Sequence, residues 1–135
     1  MRCLLIGNYG VGNIGDEALR EYFVSAFPEV DWTVLGIDVP RLPFGFRSLF
    51  AGWLAGHSSQ RRGGWFRTIH AFMRSDVVVF GGGSLFTDSE SVFACLLWWW
   101  HGFVSRLFRK PLVLAFQGVG PFRTSFAEFL ARSTF

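Results

Sequence analysis

Several familiar signatures are missing from this 135-residue sequence, and each absence removes a class of function. Its one lysine is Lys110 and it has no G-x-x-x-x-G-K-[ST] pattern, which excludes a Walker-type phosphate loop. It has no G-x-S-x-G either, which excludes the nucleophile elbow of α/β-hydrolases. The two cysteines, Cys3 and Cys95, have no metal-ligand partner at short spacing. We expect them to be buried, reduced thiols of a cytosolic protein.

Long apolar runs are also missing. The longest charge-free stretch, 91–105, reads SVFACLLWWWHGFVS and is too short to span a bilayer as a helix. Met1 is followed at once by a short apolar run and a glycine loop, which is not the pattern of a signal peptide. The sequence therefore predicts a cytoplasmic protein. Its tryptophan run is expected in the core, with contact to a membrane, a partner or a sugar as the alternatives.

Acidic residues are absent from the segment 40–75, which carries six arginines, whereas 1–39 carries two arginines and six acids. This local positive charge suits a phosphate, an acidic sugar or the inner face of a membrane, to which the protein would bind peripherally. A solvated surface loop is the plainer alternative. Basic and aromatic residues do not alternate at strand spacing, so no nucleic-acid partner is expected.

Half of the residues are hydrophobic, and they occur in a regular order. Apolar runs at 3–6, 32–37, 76–80 and 111–116 are each followed by a turn-rich segment and then a helical pattern, and the helices are expected near 16–27, 65–74, 90–108 and from 124 onward. The segment between 38 and 64 is expected to be a loop with one or two helical turns near 47–54. Strands alternating with helices predict an α/β fold, a Rossmann-like parallel sheet with flanking helices, forming one domain over 1–135.

Glycine-rich loops follow three of the four predicted strands. They read GNYGVGNIGDEAL from residue 7, GGGSLFTD from residue 81 and QGVGPF from residue 117. In parallel sheets, ligands bind beyond the carboxyl ends of the strands, where glycines allow close approach and helix N-termini hold anions. In the first loop, Asp16 is expected to cap the helix that follows.

The segment 10–15, GVGNIG, matches the dinucleotide fingerprint literally, but it begins three residues beyond the strand end. Asp16 and Glu17 come directly after it, and their carboxylates would repel a pyrophosphate. Asp38 closes the second strand, where a ribose-binding acid would lie. A dinucleotide-binding oxidoreductase domain therefore stays an alternative.

The three loops together resemble the N-terminal half of polysaccharide pyruvyl transferases. GNYGVGNIGDEAL, DVVVFGGGSLFTD and KPLVLAFQGVGPF match that family in order and spacing, over 1–39 and 76–123, whereas 40–75 has no clear counterpart. The resemblance implies the incomplete first domain of a two-domain, GT-B-like enzyme with its C-terminal domain missing. It also implies transfer of the pyruvyl group of phosphoenolpyruvate onto a sugar of a cell-envelope polysaccharide or its precursor. Phosphoenolpyruvate is then a co-substrate, and neither a cofactor nor a metal is expected.

Candidate site residues follow from this resemblance. Asp16 would orient or deprotonate the acceptor hydroxyl, with the plain helix cap as the alternative, while Glu17 is expected to complement the helix dipole. The general acid is expected in the missing half, so a fragment inactive alone, or a non-catalytic remnant, remains open. Asp88 could touch ligand or cap the next helix. The residues expected to bind substrate are Asn8, Tyr9, Gly10, Gly12, Asn13, Gly15, Gly82, Gly83, Ser84, Gln117, Gly118, Gly120 and Arg123.

Overall fold

The computed structural model describes residues 1–45, 64–89 and 91–134. The expected helical turns near 47–54 fall outside these residues, as do three of the six arginines of the basic segment. Strands and helices alternate in the described part, which confirms the predicted α/β fold. Their order is β1 (Arg2–Ile6), α1 (Ile14–Ala26), β2 (Asp31–Val34), α2 (Gly64–Arg74), β3 (Val77–Gly81), α3 (Val92–Leu107), β4 (Leu112–Ala115) and α4 (Ser125–Thr134).

The four strands form one all-parallel sheet in the order β2-β1-β3-β4. After β1, the chain places β2 on one side of β1 and then β3 and β4 on the other side. The direction of strand addition therefore reverses, and the switch point lies between the neighbouring strands β1 and β3. Ligands of doubly wound proteins bind at such a switch point, outside the carboxyl ends of the strands. Two of the three glycine loops begin there, after β1 and after β3.

One face of the sheet carries the larger core. Leu4, Ile6, Val78 and Phe80 of the two central strands are fully buried there, and α2, α3 and α4 cover them. On the opposite face, α1 packs against the alternate residues of the same strands. Coverage on both faces explains why these strands are continuous apolar runs rather than alternating ones. The helix residues in the larger core include Phe72, Trp98, Trp100, Val104, Ala127, Leu130 and Ala131.

Two predicted boundaries are wrong for local reasons. The first helix begins at Ile14 rather than near Asp16, because Asn13 is its N-cap and its side chain accepts a hydrogen bond from the Gly15 N–H (3.1 Å). The second strand ends at Val34 rather than at residue 37, because Gly36 turns the chain with a φ of 95°. Asp16 therefore lies within the first turn of α1 and does not cap it.

Both cysteines are buried free thiols, as expected from their apolar surroundings. Burial raises the pKa of Cys3 and of Cys95, so the thiol form is favoured at neutral pH. Cys95 lies on α3, with its Sγ 3.7 Å from the Ala127 carbonyl of α4. Both residues are therefore part of the packing of the sheet and helices.

Candidate functional site

The first loop, residues 7–13, is held together by its own hydrogen bonds. The Gly10 N–H donates to Glu17 Oε1 (2.7 Å), and the Gly15 N–H is taken by the Asn13 cap. Glu17 also pairs with Arg20 through Oε2 (3.1 Å). Two of the amides expected to bind substrate are thus engaged in hydrogen bonds within the loop. Glu17 lies in the first turn of α1, as predicted, and its side chain also holds the loop through the Gly10 N–H.

Tyr9 points into the protein rather than toward a ligand. Its side chain is buried, and its hydroxyl donates a hydrogen bond to the Gly81 carbonyl at the end of β3. Gly7 makes room for it, because a Cβ there would lie 2.5 Å from the Tyr9 ring. Tyr9 therefore ties the first loop to β3, and the structure gives it a packing role in place of the predicted substrate contact.

The second loop, residues 82–89, approaches the first turn of α1 closely. Gly82 and Gly83 have φ values of 85° and 71°, which favour glycine. A Cβ on Gly83 would lie 2.7 Å from Asp16 Oδ1, so the missing side chain is what lets the Asp16 carboxylate pack against this loop. Ser84 follows with an exposed side chain.

The third loop, residues 116–124, supports the second loop. Gln117 Nε2 donates to the Gly82 carbonyl (2.7 Å), and the Gly118 N–H donates to the Gly83 carbonyl (3.1 Å). Gln117 Oε1 is buried without a hydrogen-bond partner. The structure therefore brings the three predicted loops together, and the third loop contacts the second through these two hydrogen bonds.

Asp88 and Arg123 connect the second and third loops. Asp88 accepts hydrogen bonds from the backbone N–H groups of Arg123 (2.6 Å) and Thr124 (2.8 Å), and these bonds hold its pKa below the usual range. Asp88 thus secures the start of α4 and does not cap α3, whose N-cap is Ser91. The Arg123 side chain, which was expected to bind substrate, is exposed.

A cavity of about 380 Å³ opens beyond the carboxyl ends of β1 and β3, and we call it the switch-point cavity. It contains five of the predicted site residues, and Arg41 and Trp98 also line it. The other predicted residues do not line it: Tyr9, Gly10, Gly12, Gly15, Gly82, Gln117, Gly118, Gly120 and Arg123. The lining residues are Asn8, Asn13, Asp16, Arg41, Gly83, Ser84, Leu85, Thr87, Ser89, Ala94, Leu97 and Trp98.

Asp16 is the carboxylate of this cavity. Its side chain belongs to a residue that is only 4% exposed, yet none of the described residues donates a hydrogen bond to it. Burial raises the pKa of Asp16, and the neighbouring Glu17 carboxylate raises it further. A nearly buried carboxyl group with unused acceptors and a raised pKa is a good candidate for accepting a proton from a bound hydroxyl.

Arg41 is the cation that lines the cavity among the described residues, and it was not among the predicted site residues. Its Nη2 donates to Asn8 Oδ1 (3.1 Å) and to the Tyr9 carbonyl (3.4 Å), and its guanidinium carbon lies 5.4 Å from the Trp98 ring centroid. Burial lowers the pKa of Arg41. The signal that could have identified it is its position shortly after β2, at the same sheet edge as the glycine loops.

A larger cavity, of about 570 Å³, lies between α2 and the β2 edge of the sheet, away from the glycine loops. Its charged residues have both signs, since Asp31 and Asp38 line it together with Arg67 and Arg74. Asp38 Oδ2 accepts a hydrogen bond from the Val34 N–H (2.7 Å), and all four of these charged residues are exposed. Volume alone would favour this cavity, but the switch-point cavity has a nearly buried carboxylate and a half-buried cation, so we assign the candidate site there.

The close packing of Gly83 on Asp16 predicts different effects of two alanine substitutions. Gly83→Ala and Gly12→Ala both place a side chain at positive φ, 71° and 82°, which costs about 1–2 kcal/mol. Only Gly83→Ala adds a clash, because a Cβ on Gly12 meets no atom within 4 Å. In urea unfolding, Gly83→Ala should be less stable than Gly12→Ala by about 1 kcal/mol or more. Equal losses would contradict the packing of Asp16 against the second loop.

No protein-family model, no curated protein and no solved structure matches this chain. Within residues 1–45, 64–89 and 91–134, no three His, Cys, Asp or Glu side chains gather as a metal site. No helix in that part of the chain is long and apolar enough to cross a membrane. Function is therefore inferred from the geometry of the switch-point cavity.

Proposed function

We propose that the chain contributes the first domain of a pyruvyl transferase, with the switch-point cavity binding the sugar acceptor. The reaction would move the pyruvyl group of phosphoenolpyruvate onto two hydroxyls of a cell-envelope polysaccharide or its precursor. The methylene carbon of the enol gains a proton, and two C–O bonds to the sugar form at the adjacent carbon. The bond between that adjacent carbon and the phosphate oxygen breaks, and phosphate leaves with the bonding electrons. Of the two hydroxyl protons released, one balances the proton on carbon and the other leaves with phosphate.

The position and surroundings of the Asp16 carboxylate are the main support for this proposal. Its carboxylate has no donor among the described residues, belongs to a residue that is nearly buried, and lies between the first and second loops. A sugar hydroxyl in the cavity could donate to it, and its raised pKa makes it a better proton acceptor than an exposed aspartate. Ser84, an exposed polar residue of the cavity, could bind a neighbouring hydroxyl.

The remaining parts of the proposal concern what lies around this cavity. A second Rossmann-like domain would complete a GT-B-like enzyme and supply the general acid that protonates the enol carbon. The enzyme would act in the cytoplasm, peripheral to the inner face of the membrane, because the acceptors of such a reaction are cell-envelope precursors. The exposed arginines of α2 favour contact with an anionic surface.

The dinucleotide alternative loses its one favourable observation. Asp38, the expected ribose ligand, lines the larger cavity and not the switch-point cavity, and its Oδ2 already accepts a hydrogen bond from the Val34 N–H. The Asp16 carboxylate lines the cavity at the place where a pyrophosphate would have to lie. NAD⁺ is therefore a suitable competing ligand for testing the proposal.

Calorimetric titration of the full chain with phosphoenolpyruvate, methyl glucoside and NAD⁺ tests the proposal. We expect phosphoenolpyruvate or methyl glucoside to bind with a dissociation constant of about 1 mM or tighter, and NAD⁺ not to bind. Ser84→Ala should weaken this binding, whereas Thr33→Val, which removes one hydroxyl from the larger cavity, should leave it unchanged. Binding of NAD⁺ alone would favour the dinucleotide domain. Binding of none of the three would identify a remnant, and either result overturns the proposal.

A further inference from the structure

We infer that Arg41 binds an anionic group of the ligand, a carboxylate or a phosphate, in the switch-point cavity. This assigns a function to a residue outside the three glycine loops, within the segment that had no counterpart in the family resemblance. The inference rests on the proposed ligand site, but it does not depend on pyruvyl transfer. The reasons are the position, the partners and the unsatisfied charge of Arg41.

Arg41 is fixed in place from both sides of the cavity. The next residue, Leu42, is buried, and its N–H donates to His101 Nε2 on α3 (3.1 Å). The guanidinium packs beside the turn at Gly36, where a Cβ would lie at an ordinary contact distance of 3.9 Å from Arg41 Nε and Nη2. The guanidinium then lies between the first loop and the Trp98 ring of α3. Such preorganisation lowers the entropy cost of binding a ligand.

The charge of Arg41 has no counter-ion in the described part of the chain. No carboxylate of that part lies within 4.0 Å of its guanidinium, and its Nε is buried without a hydrogen-bond partner. Its protein partners are neutral oxygens, of Asn8 and of the Tyr9 backbone. A partly buried, unpaired cation is costly, and a bound oxyanion would remove that cost.

Asp16 lines the same cavity but does not pair with Arg41. The two side chains form no ion pair, so the space between a carboxylate and a cation is open to a ligand. A ligand with a hydroxyl at one end and an oxyanion at the other would satisfy both residues. A neutral sugar would satisfy only Asp16, so Arg41 sets the preference for anionic ligands.

Competition between anions tests this assignment. The full chain is titrated with phosphoenolpyruvate, inorganic phosphate and pyruvate, in the wild type and in Arg41→Gln, which keeps a donor for Asn8 but removes the charge. We expect Arg41→Gln to weaken phosphoenolpyruvate binding by at least about tenfold, and Arg41→Lys to weaken it less. Competition by phosphate alone assigns the phosphate group, and competition by pyruvate alone assigns the carboxylate.

Arg67→Gln is the matched control, because it removes the same charge from a residue of the larger cavity. An equal loss in Arg67→Gln would indicate a general charge effect and overturn the inference. Unchanged binding in Arg41→Gln would overturn it too, while leaving the proposed function standing. Conversely, phosphate binding that requires Arg41, together with NAD⁺ binding by the wild type, would contradict the proposed pyruvyl transfer but would support the assignment of Arg41.

One measurement on the unmodified chain keeps the inference falsifiable if Arg41→Gln does not fold. The NMR signal of the Arg41 Nε–H, identified by its loss in Arg41→Lys, should shift on addition of inorganic phosphate or pyruvate. The corresponding Arg67 signal should not shift. An Arg41 signal that does not respond to either anion at saturating concentration would show that Arg41 binds neither.

Discussion

Replacing Asp16 with asparagine is expected to weaken ligand binding in the switch-point cavity by about tenfold or more, with little loss of stability. Asparagine has nearly the same shape, but it cannot accept a proton from a hydroxyl. Two effects on stability oppose each other. The substitution removes a buried charge, and it also removes a negative charge from the first turn of α1. The free energy of unfolding should therefore stay within about 1 kcal/mol of the wild-type value.

The pH dependence of this substitution has a definite sign. The pKa of Asp16 is raised by folding, first by burial and then by Glu17, so the folded state binds the proton more tightly than the unfolded state. Ionisation of Asp16 thus opposes folding as the pH rises above the unfolded pKa of 3.8 and through the folded pKa. Relative to the wild type, Asp16→Asn should gain stability over this pH range. The relative gain should be absent at lower pH.

Calorimetry with methyl glucoside and thermal unfolding of the same samples measure both quantities. Glu21→Gln is the matched control, because it makes the same change on α1 at a side chain that is 75% exposed. It should alter neither binding nor melting temperature. A large drop in melting temperature for Asp16→Asn, parallel to the loss of binding, would show that Asp16 is structural.

His101 is expected to make a large contribution to the pH dependence of stability. Its ring is fully buried in α3, where Nε2 accepts from the Leu42 N–H and Nδ1 donates to the Leu97 carbonyl (2.8 Å). The imidazole is therefore neutral in the folded protein. Burial lowers the pKa of His101 to about 4, with the nearby Arg41 cation acting in the same direction and the Leu97 hydrogen bond opposing both.

Stability should be lost as the pH falls from about 6.5 to about 4. In that range the unfolded state binds a proton at His101 and the folded state does not, so stability rises with pH and is fully present above the unfolded pKa. The drop from 6.5 to about 4 corresponds to about 3 kcal/mol. This is a large share of the free energy of unfolding of a typical domain, which is roughly 5–15 kcal/mol.

Urea unfolding at several pH values between about 4 and 8, in the wild type and in His101→Gln, tests this expectation. Glutamine can offer an oxygen to the Leu42 N–H but does not titrate, so the variant should lose about 3 kcal/mol less than the wild type over that range. His70→Gln, at an exposed histidine of α2, should behave as the wild type does. Identical pH profiles for His101→Gln and the wild type would mean that His101 is protonated, or not buried, in the folded protein.

The sequence by itself determined the alternation of strands and helices and the positions of the glycine loops. These features depend on local chemistry. The short apolar run of β3, rich in β-branched valine and ended by glycines, favours a strand covered on both faces, and glycines at positive φ mark the turns that follow. Parallel strands also place the carboxyl ends of β1 and β3 at one edge, so the meeting of the loops could be predicted without coordinates.

Local chemistry was ambiguous where two neighbouring residues could perform the same task. Asn13 and Asp16 are equally good helix caps, and nothing in their spacing tells which one is used. Once Asn13 caps α1, Asp16 lies within the first turn, and its side chain is turned toward the second loop. The change of N-cap position therefore converts Asp16 from a cap into the carboxylate of the cavity.

Only the tertiary structure decided which side chains face the switch-point cavity. Tyr9 lies in the first loop but points inward to Gly81, whereas Arg41 comes from beyond β2 and reaches Asn8, 33 positions earlier in the chain. Side-chain direction at a loop depends on which surfaces the neighbouring elements leave uncovered, and that is set by packing between residues far apart in sequence. The loops follow from the order of residues, while the presence of an available carboxylate and an available cation in one cavity follows from how α1, α3 and the sheet pack together.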